Sequence, residues 1–199
     1  PTYGGGQGET YTTFLVQTLK PFIDSHFRTL PGPKNTGIAG SSLGGLISYY
    51  AAIKHPEIFG KVGVFSPSFW YSDSLFADVT TYEPFDNQKF YIVAGQNEDE
   101  DMVPDIDNYI DKMKIRGIND EQLLRLIQPD GQHSEWFWAR EFPAAYKWLD
   151  LWDKELVKTK EAIDTQIFMS INESPSLYPR IIISSNLTTP AKVVILDEK

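Results

Sequence analysis

At 199 residues, with 41% hydrophobic and 14% aromatic content, the chain is long enough to bury one substantial core. Its formal net charge of −9, from 27 acidic against 18 basic residues, repels phosphate backbones and anionic lipid, so nucleic acid is excluded as an expected partner. There is no cysteine, which removes disulfides, thiolate zinc sites and cysteine nucleophiles, and no apolar run reaches membrane-spanning length. A soluble, single-core protein is expected. The first residue is Pro1 rather than Met, which points to an upstream piece lost by processing or truncation, with no signal peptide left to read.

In chain order, Tyr3-Gly4-Gly5-Gly6-Gln7-Gly8 is a glycine-rich opening without the Lys-Ser/Thr ending of a phosphate loop, and it is expected as a flexible loop. From Tyr11 to Phe27, the residues Tyr11, Phe14, Leu15, Leu19, Phe22 and Ile23 recur at helical spacing, and Pro21 bends or divides the segment. His26 closes this stretch ahead of Pro31-Gly32-Pro33 and is read as structural. A short buried strand over Asn35 to Ala39 then breaks into Gly40-Ser41-Ser42-Leu43-Gly44, and a helical pattern follows from Leu46 to Lys54 before Pro56.

Gly-x-Ser-x-Gly between a strand and a helix is the pattern of a nucleophile elbow. Such a turn forces strained backbone angles on its serine and leaves no room for side chains two residues to either side. Ser42 is therefore the candidate nucleophile, flanked by Gly40 and Gly44. The turn also aims the first amides of the next helix at the site, so the Leu43 N–H is the candidate oxyanion donor.

Further along, His55 reads as a cation at a helix end, and Lys61 to Phe65 as a strand. Ser66-Pro67-Ser68-Phe69-Trp70-Tyr71 follows at the strand's C-terminal end, where its aromatics line a ligand crevice or pack in the core. Leu75 to Asn87 is an irregular excursion. Lys89 to Gly95 is a buried strand, followed by the acidic run Glu98-Asp99-Glu100-Asp101 and a helix carrying Met102, Ile106, Tyr109, Ile110 and Met113. A carboxylate just past a strand end is placed to orient a histidine, but composition does not choose among Glu98, Asp99 and Asp101. The run equally suits a helix N-terminus or a weak cation site. Gln122 to Ile127 is the next strand, Pro129 to His133 turns out of it, and a helix runs from Ser134 to Trp152.

His133 differs from His26 and His55 because it lies on a loop after a strand and after the acidic run. Serine, acid, histidine at successive strand ends is the order in which α/β-hydrolases place their triad. The fold class expected is α/β, an α/β-hydrolase fold with a mostly parallel sheet flanked by helices.

From Gly4 to about Trp152 the chain resembles the Putative esterase family of α/β-hydrolases, which spans siderophore, feruloyl and acetyl-xylan esterases, S-formylglutathione hydrolases and mycolyltransferases. The resemblance is carried by Leu19 to Asp24, by Asn35 to Ser48 and by Phe65-Ser66-Pro67-Ser68-Phe69-Trp70. The branch it resembles places its acid as Gly-x-x-Glu, here Gly95-Gln96-Asn97-Glu98, so the resemblance assigns Glu98 and matches His133 to the catalytic histidine. Family members carry a longer segment before the elbow, including the loop that donates the second oxyanion amide, and an N-terminally truncated domain is expected here. Loss of that donor costs roughly two to three orders of magnitude in rate, and loss of the first strands leaves an open sheet edge.

Beyond Trp152, the charged stretch to Ile167 finishes the domain (1–167), and 168–199 is a linker with a β-rich tail. That tail loosely resembles the start of a type IX secretion sorting domain, with Arg180 where asparagine is usual, which implies a secreted or cell-surface location; a strand pair closing the domain, or a disordered tail, is the other reading. The function expected is serine ester hydrolysis through Ser42, Glu98 and His133 and an acyl-enzyme, with no cofactor and no metal. Phe69, Trp70 and Trp136 are the pocket candidates, for a small-molecule or carbohydrate-linked ester. An acyltransferase using a sugar hydroxyl in place of water, and a non-catalytic carbohydrate-binding module, are the alternatives. Oligomeric state is not legible.

Overall fold

The computed structural model describes residues 6–71, 79, 81–84, 86–151 and 193–198. Helix α1 (Gly8–Phe14) leads through a wide turn (Leu15–Leu19) into α2 (Lys20–His26). Pro21 does not divide them. It lacks the N–H that the Gln17 carbonyl would take four residues on, and the chain absorbs the loss by widening, with Lys20 N–H bonded to Leu15 O five residues back.

Strand β1 (Thr36–Ser41) runs into α3 (Leu43–Lys54), then β2 (Lys61–Phe65), β3 (Lys89–Gly95), α4 (Met102–Ile115), β4 (Leu123–Gln128) and α5 (Glu135–Trp148). A last strand, β5, spans Val193–Glu198. The sheet has the order β4-β3-β2-β1-β5 and every neighbouring pair is parallel. Where the sequence leaves the outer edge of β1 open, β5 lies in register with it from Thr36↔Val193 to Ser41↔Glu198. The expected division at 167/168, the expected linker and part of the excursion from Leu75 to Asn87 lie outside the described residues.

A parallel sheet needs cover on both faces, and the alternation within its strands supplies two apolar surfaces. Ile38, Val62, Val64, Phe90, Ile92 and Ala94 pack with Leu15, Tyr49, Ile106, Tyr109 and Met113 of the first helices, α3 and α4. Ala39, Phe65, Tyr91 and Val93 face Phe137, Ala145 and Leu149 on the α5 side. Register then sets the site. Ser41 pairs with Phe65, Phe65 with Val93, and Gly95 with Gln128, so β1 to β4 finish along one edge and the loops leaving them emerge side by side. Among the described residues, no helix is long and apolar enough to cross a membrane.

Candidate active site

Ser42 occupies the turn between β1 and α3 at φ 56°, ψ −121°. Its N–H donates to Phe65 O at 2.9 Å, and its own carbonyl accepts from Ser68 N–H at 3.1 Å, so the end of β2 fixes the turn from below. A Cβ on Gly40 would come within 2.4 Å of Gly44 O, a backbone atom that cannot move aside, and this is why the strand meets the helix here only through glycine. Leu43 is the first residue of α3; an N–H there has no partner within the helix, because the residue four positions back lies in β1.

His133, on the loop between β4 and α5, points its Nε2 at Ser42 Oγ at 2.9 Å and its Nδ1 at Glu98 Oε2 at 2.8 Å. The Glu98 side chain is fully buried, while that of His133 is 40% exposed. The other carboxylate oxygen, Oε1, accepts from Gly95 N–H at 2.5 Å and from Ser66 Oγ at 2.7 Å. Ser66 in turn accepts from Trp138 Nε1–H at 2.8 Å, and the Trp138 ring stands edge-on to the His133 ring with centroids 5.0 Å apart. Because Glu98 receives donors at both oxygens, it acts as an acceptor throughout. The proton of a neutral His133 then sits on Nδ1, and Nε2 is left to accept from Ser42.

Two glycines let the loops meet. A Cβ on Gly95 would lie 2.2 Å from Gly131 O, and one on Gly131 would lie 2.6 Å from Gly95 Cα, so the end of β3 and the His133 loop touch backbone to backbone. The loop is also clamped from α5. Arg140 donates to both carboxylate oxygens of Asp130, at 2.6 and 3.0 Å, and to Glu141 at 2.8 Å, with its guanidinium 5.2 Å above the Trp136 ring. Hydrogen bonding from Arg140 holds the Asp130 carboxyl below the usual carboxylate range.

The structure thus brings Ser42, Glu98 and His133 together and sends the other acidic candidates elsewhere. Asp99 accepts from Asp101 N–H, and Asp101 flanks the start of α4. Burial, then the charges of Asp101 and Asp99, push the Asp105 carboxyl up in the first turn of that helix. His26 stacks on Phe22 and His55 pairs with Glu57. Trp70 and Trp136 are 57% and 48% exposed. Phe69 is turned inward, 2% exposed and stacked on Tyr109 at 4.1 Å, so it takes the core role of the two that the sequence left open. Sequence reasoning missed Ser66, Ser68, whose Oγ is 3.3 Å from Ser42 Oγ, and Trp138. The available signal was a pair of serines at a strand end, which reads as ordinary turn chemistry. Among the described residues, no cluster of three or more His, Asp or Glu is placed to hold a metal.

A parallel sheet between helices, with the loops that leave its strands gathered on their C-terminal edge, is an α/β architecture, and solved α/β-hydrolase esterases share it. The chain matches the enterobactin esterase FES from Shigella flexneri at a TM-score of 0.61 and 21% identity, over 72% of this chain and 38% of that one. It matches the CE1 ferulic acid esterase AmCE1/Fae1A from the anaerobic fungus Anaeromyces mucronatus at a TM-score of 0.54 and 18% identity, over 71% of this chain and 55% of that one. In sequence it is 27% identical over 152 residues to the uncharacterized protein YbbA of Bacillus subtilis (strain 168), covering 73% of this chain and 61% of YbbA. The chain therefore spans less than two thirds of the length of each of these relatives. It belongs to the Putative esterase family, whose model matches residues 2–176.

Proposed function

We propose that the chain is a serine ester hydrolase in which Ser42 is the nucleophile, His133 the general base and Glu98 the residue that orients the imidazole. The observation that supports this most is the unbroken hydrogen-bond chain from Ser42 Oγ through both His133 nitrogens to a buried carboxylate. A binding module has no need of it.

His133 Nε2 takes the Ser42 proton as Oγ bonds to the ester carbonyl carbon, and the carbonyl π electrons move onto oxygen. The Leu43 N–H, at the positive end of α3, stabilises that oxyanion. Collapse breaks the bond to the leaving alcohol, which takes the proton back from His133 and departs, leaving an acyl-Ser42. Water, deprotonated by the same imidazole, then attacks the acyl carbon, and the acid leaves as the proton returns to Ser42. Through both halves, Glu98 balances the positive charge that appears on the ring. Trp70 and Trp136 offer exposed apolar faces to the acyl or alcohol part of a small-molecule or carbohydrate-linked ester.

The test is hydrolysis of p-nitrophenyl butyrate by the wild-type chain and by Ser42→Ala. Turnover that falls on the order of a millionfold, to background, in a folded Ser42→Ala sample is the expected result. Equal turnover in the two would remove Ser42 from the chemistry.

A further inference from the structure

Ser66 is fully buried and stands at φ 43°, in the left-handed region. That conformation is free for glycine and unfavourable for any residue with a Cβ, so the backbone asks for glycine where the chain supplies serine. Strain of this kind persists where the side chain is needed. The Ser66 hydroxyl lies between Trp138 Nε1 at 2.8 Å and Glu98 Oε1 at 2.7 Å. An indole N–H only donates, so the Ser66 oxygen accepts from Trp138 and its own proton is directed at Glu98. Ser66 N–H is pinned to Val93 O at 2.7 Å, which fixes the whole residue to the end of β3.

We propose that Ser66 is a positioning residue: with its rotor set by Trp138, it occupies Glu98 Oε1 so that the buried carboxylate presents Oε2 alone to His133 Nδ1. Trp138 serves the same end twice, through Ser66 and through its edge-on contact with the imidazole ring. The inference rests on the roles proposed above for Ser42, His133 and Glu98.

Ser66→Gly is the informative variant, because glycine suits the backbone and removes the hydroxyl together with the single carbon that carries it. Trp138→Phe removes the indole donor and keeps an aromatic ring. For wild type and both variants, the readouts are Tm, kcat and KM for p-nitrophenyl butyrate, and the low-field proton resonance of the His133 Nδ1–H, assigned by its loss in His133→Ala. In Ser66→Gly the relief of the positive φ offsets part of the two lost hydrogen bonds, so Tm is expected to fall by no more than a few degrees with the chain folded at the assay temperature, KM to hold within about twofold, kcat to fall roughly 10- to 100-fold, and the resonance to shift or broaden. Trp138→Phe is expected to move kcat and the resonance the same way, less far. Unchanged kcat and resonance in Ser66→Gly would overturn the inference, as would a loss of kcat that merely follows a fall in Tm. A wild-type chain that shows the resonance without turnover would remove the hydrolase reading alone, with the resonance in Ser66→Gly still deciding the role of Ser66. Absence of both resonance and turnover in a folded wild-type sample would overturn the two together.

Discussion

At Glu98 each carboxylate oxygen faces a donor: Gly95 N–H and the Ser66 hydroxyl at Oε1, the imidazole N–H at Oε2. A glutamine there offers one oxygen and one NH2 group, so one set of donors must face another donor. Glu98→Gln is therefore expected to turn the imidazole to the wrong tautomer and to lower kcat on the order of 10⁴-fold, with KM much less affected. Steady-state kinetics on a folded sample check this. The residues differ in how legible they were. Ser42 was visible as a candidate because an elbow needs glycines at fixed offsets, and His133 because it follows the fourth strand in the count, one strand after the acidic run. Glu98 emerged only from a family resemblance, since the three candidates Glu98, Asp99 and Asp101 sit in one unbroken acidic run and look alike in composition. Ser66 was not legible at all, because its partners Glu98 and Trp138 lie 32 and 72 positions on.

The elements do their work by ending together, and two predictions belong to their ends. The backbone contact of Gly95 with Gly131 leaves no room for a methyl group, so Gly95→Ala must push the His133 loop off β3. A cost of about 1–3 kcal/mol is expected, with Tm falling about 2–4 °C for each kcal/mol, together with a loss of esterase rate. Gly131→Ala in the same background should cost less than it does alone, since the first methyl has already opened the contact. Arg140 clamps the same loop through Asp130, whose carboxyl it holds below the usual range. A carboxyl depressed in the folded state contributes stability above its unfolded value of about 3.9, and that contribution is lost as pH falls through the folded value. Arg140→Ala should thus lower Tm at pH 7, and the gap to wild type should narrow as pH drops below about 4; thermal melts across pH measure it. The strands Lys61–Phe65 and Lys89–Gly95 were legible to the residue, because fully buried parallel strands are short apolar runs bounded by turn residues. Helix starts were read less well. The helix at Ser42 begins at Leu43 rather than Leu46, since Gly44 and Gly45 mask its onset with poor helix formers. Pro21 marked the disturbance but not its form: the widened turn before it absorbs the missing donor without separating the helices, which propensity alone does not anticipate.

Over the whole molecule, the alternation of strands and helices made the parallel α/β architecture readable, whereas the partner of β1 on its outer side was not. β-branched residues near the C-terminus mark a strand but not the edge it joins, and β5 takes the place that the sequence left open. Charge acts at this scale too. A chain with net charge −9 repels anionic esters during encounter, and salt screens that repulsion. The value of kcat/KM for a p-nitrophenyl ester bearing a free carboxylate should rise with ionic strength, while that for the neutral butyrate should stay flat; parallel rises or no rise in either would place the charge away from the approach to Ser42. The central claim, that this fold activates Ser42, is tested most directly by fluorophosphonate labelling at neutral pH with mass mapping of the adduct. The account predicts label on Ser42 alone and none on Ser42→Ala. No label on a folded wild-type sample, or label carried by another serine, would contradict it.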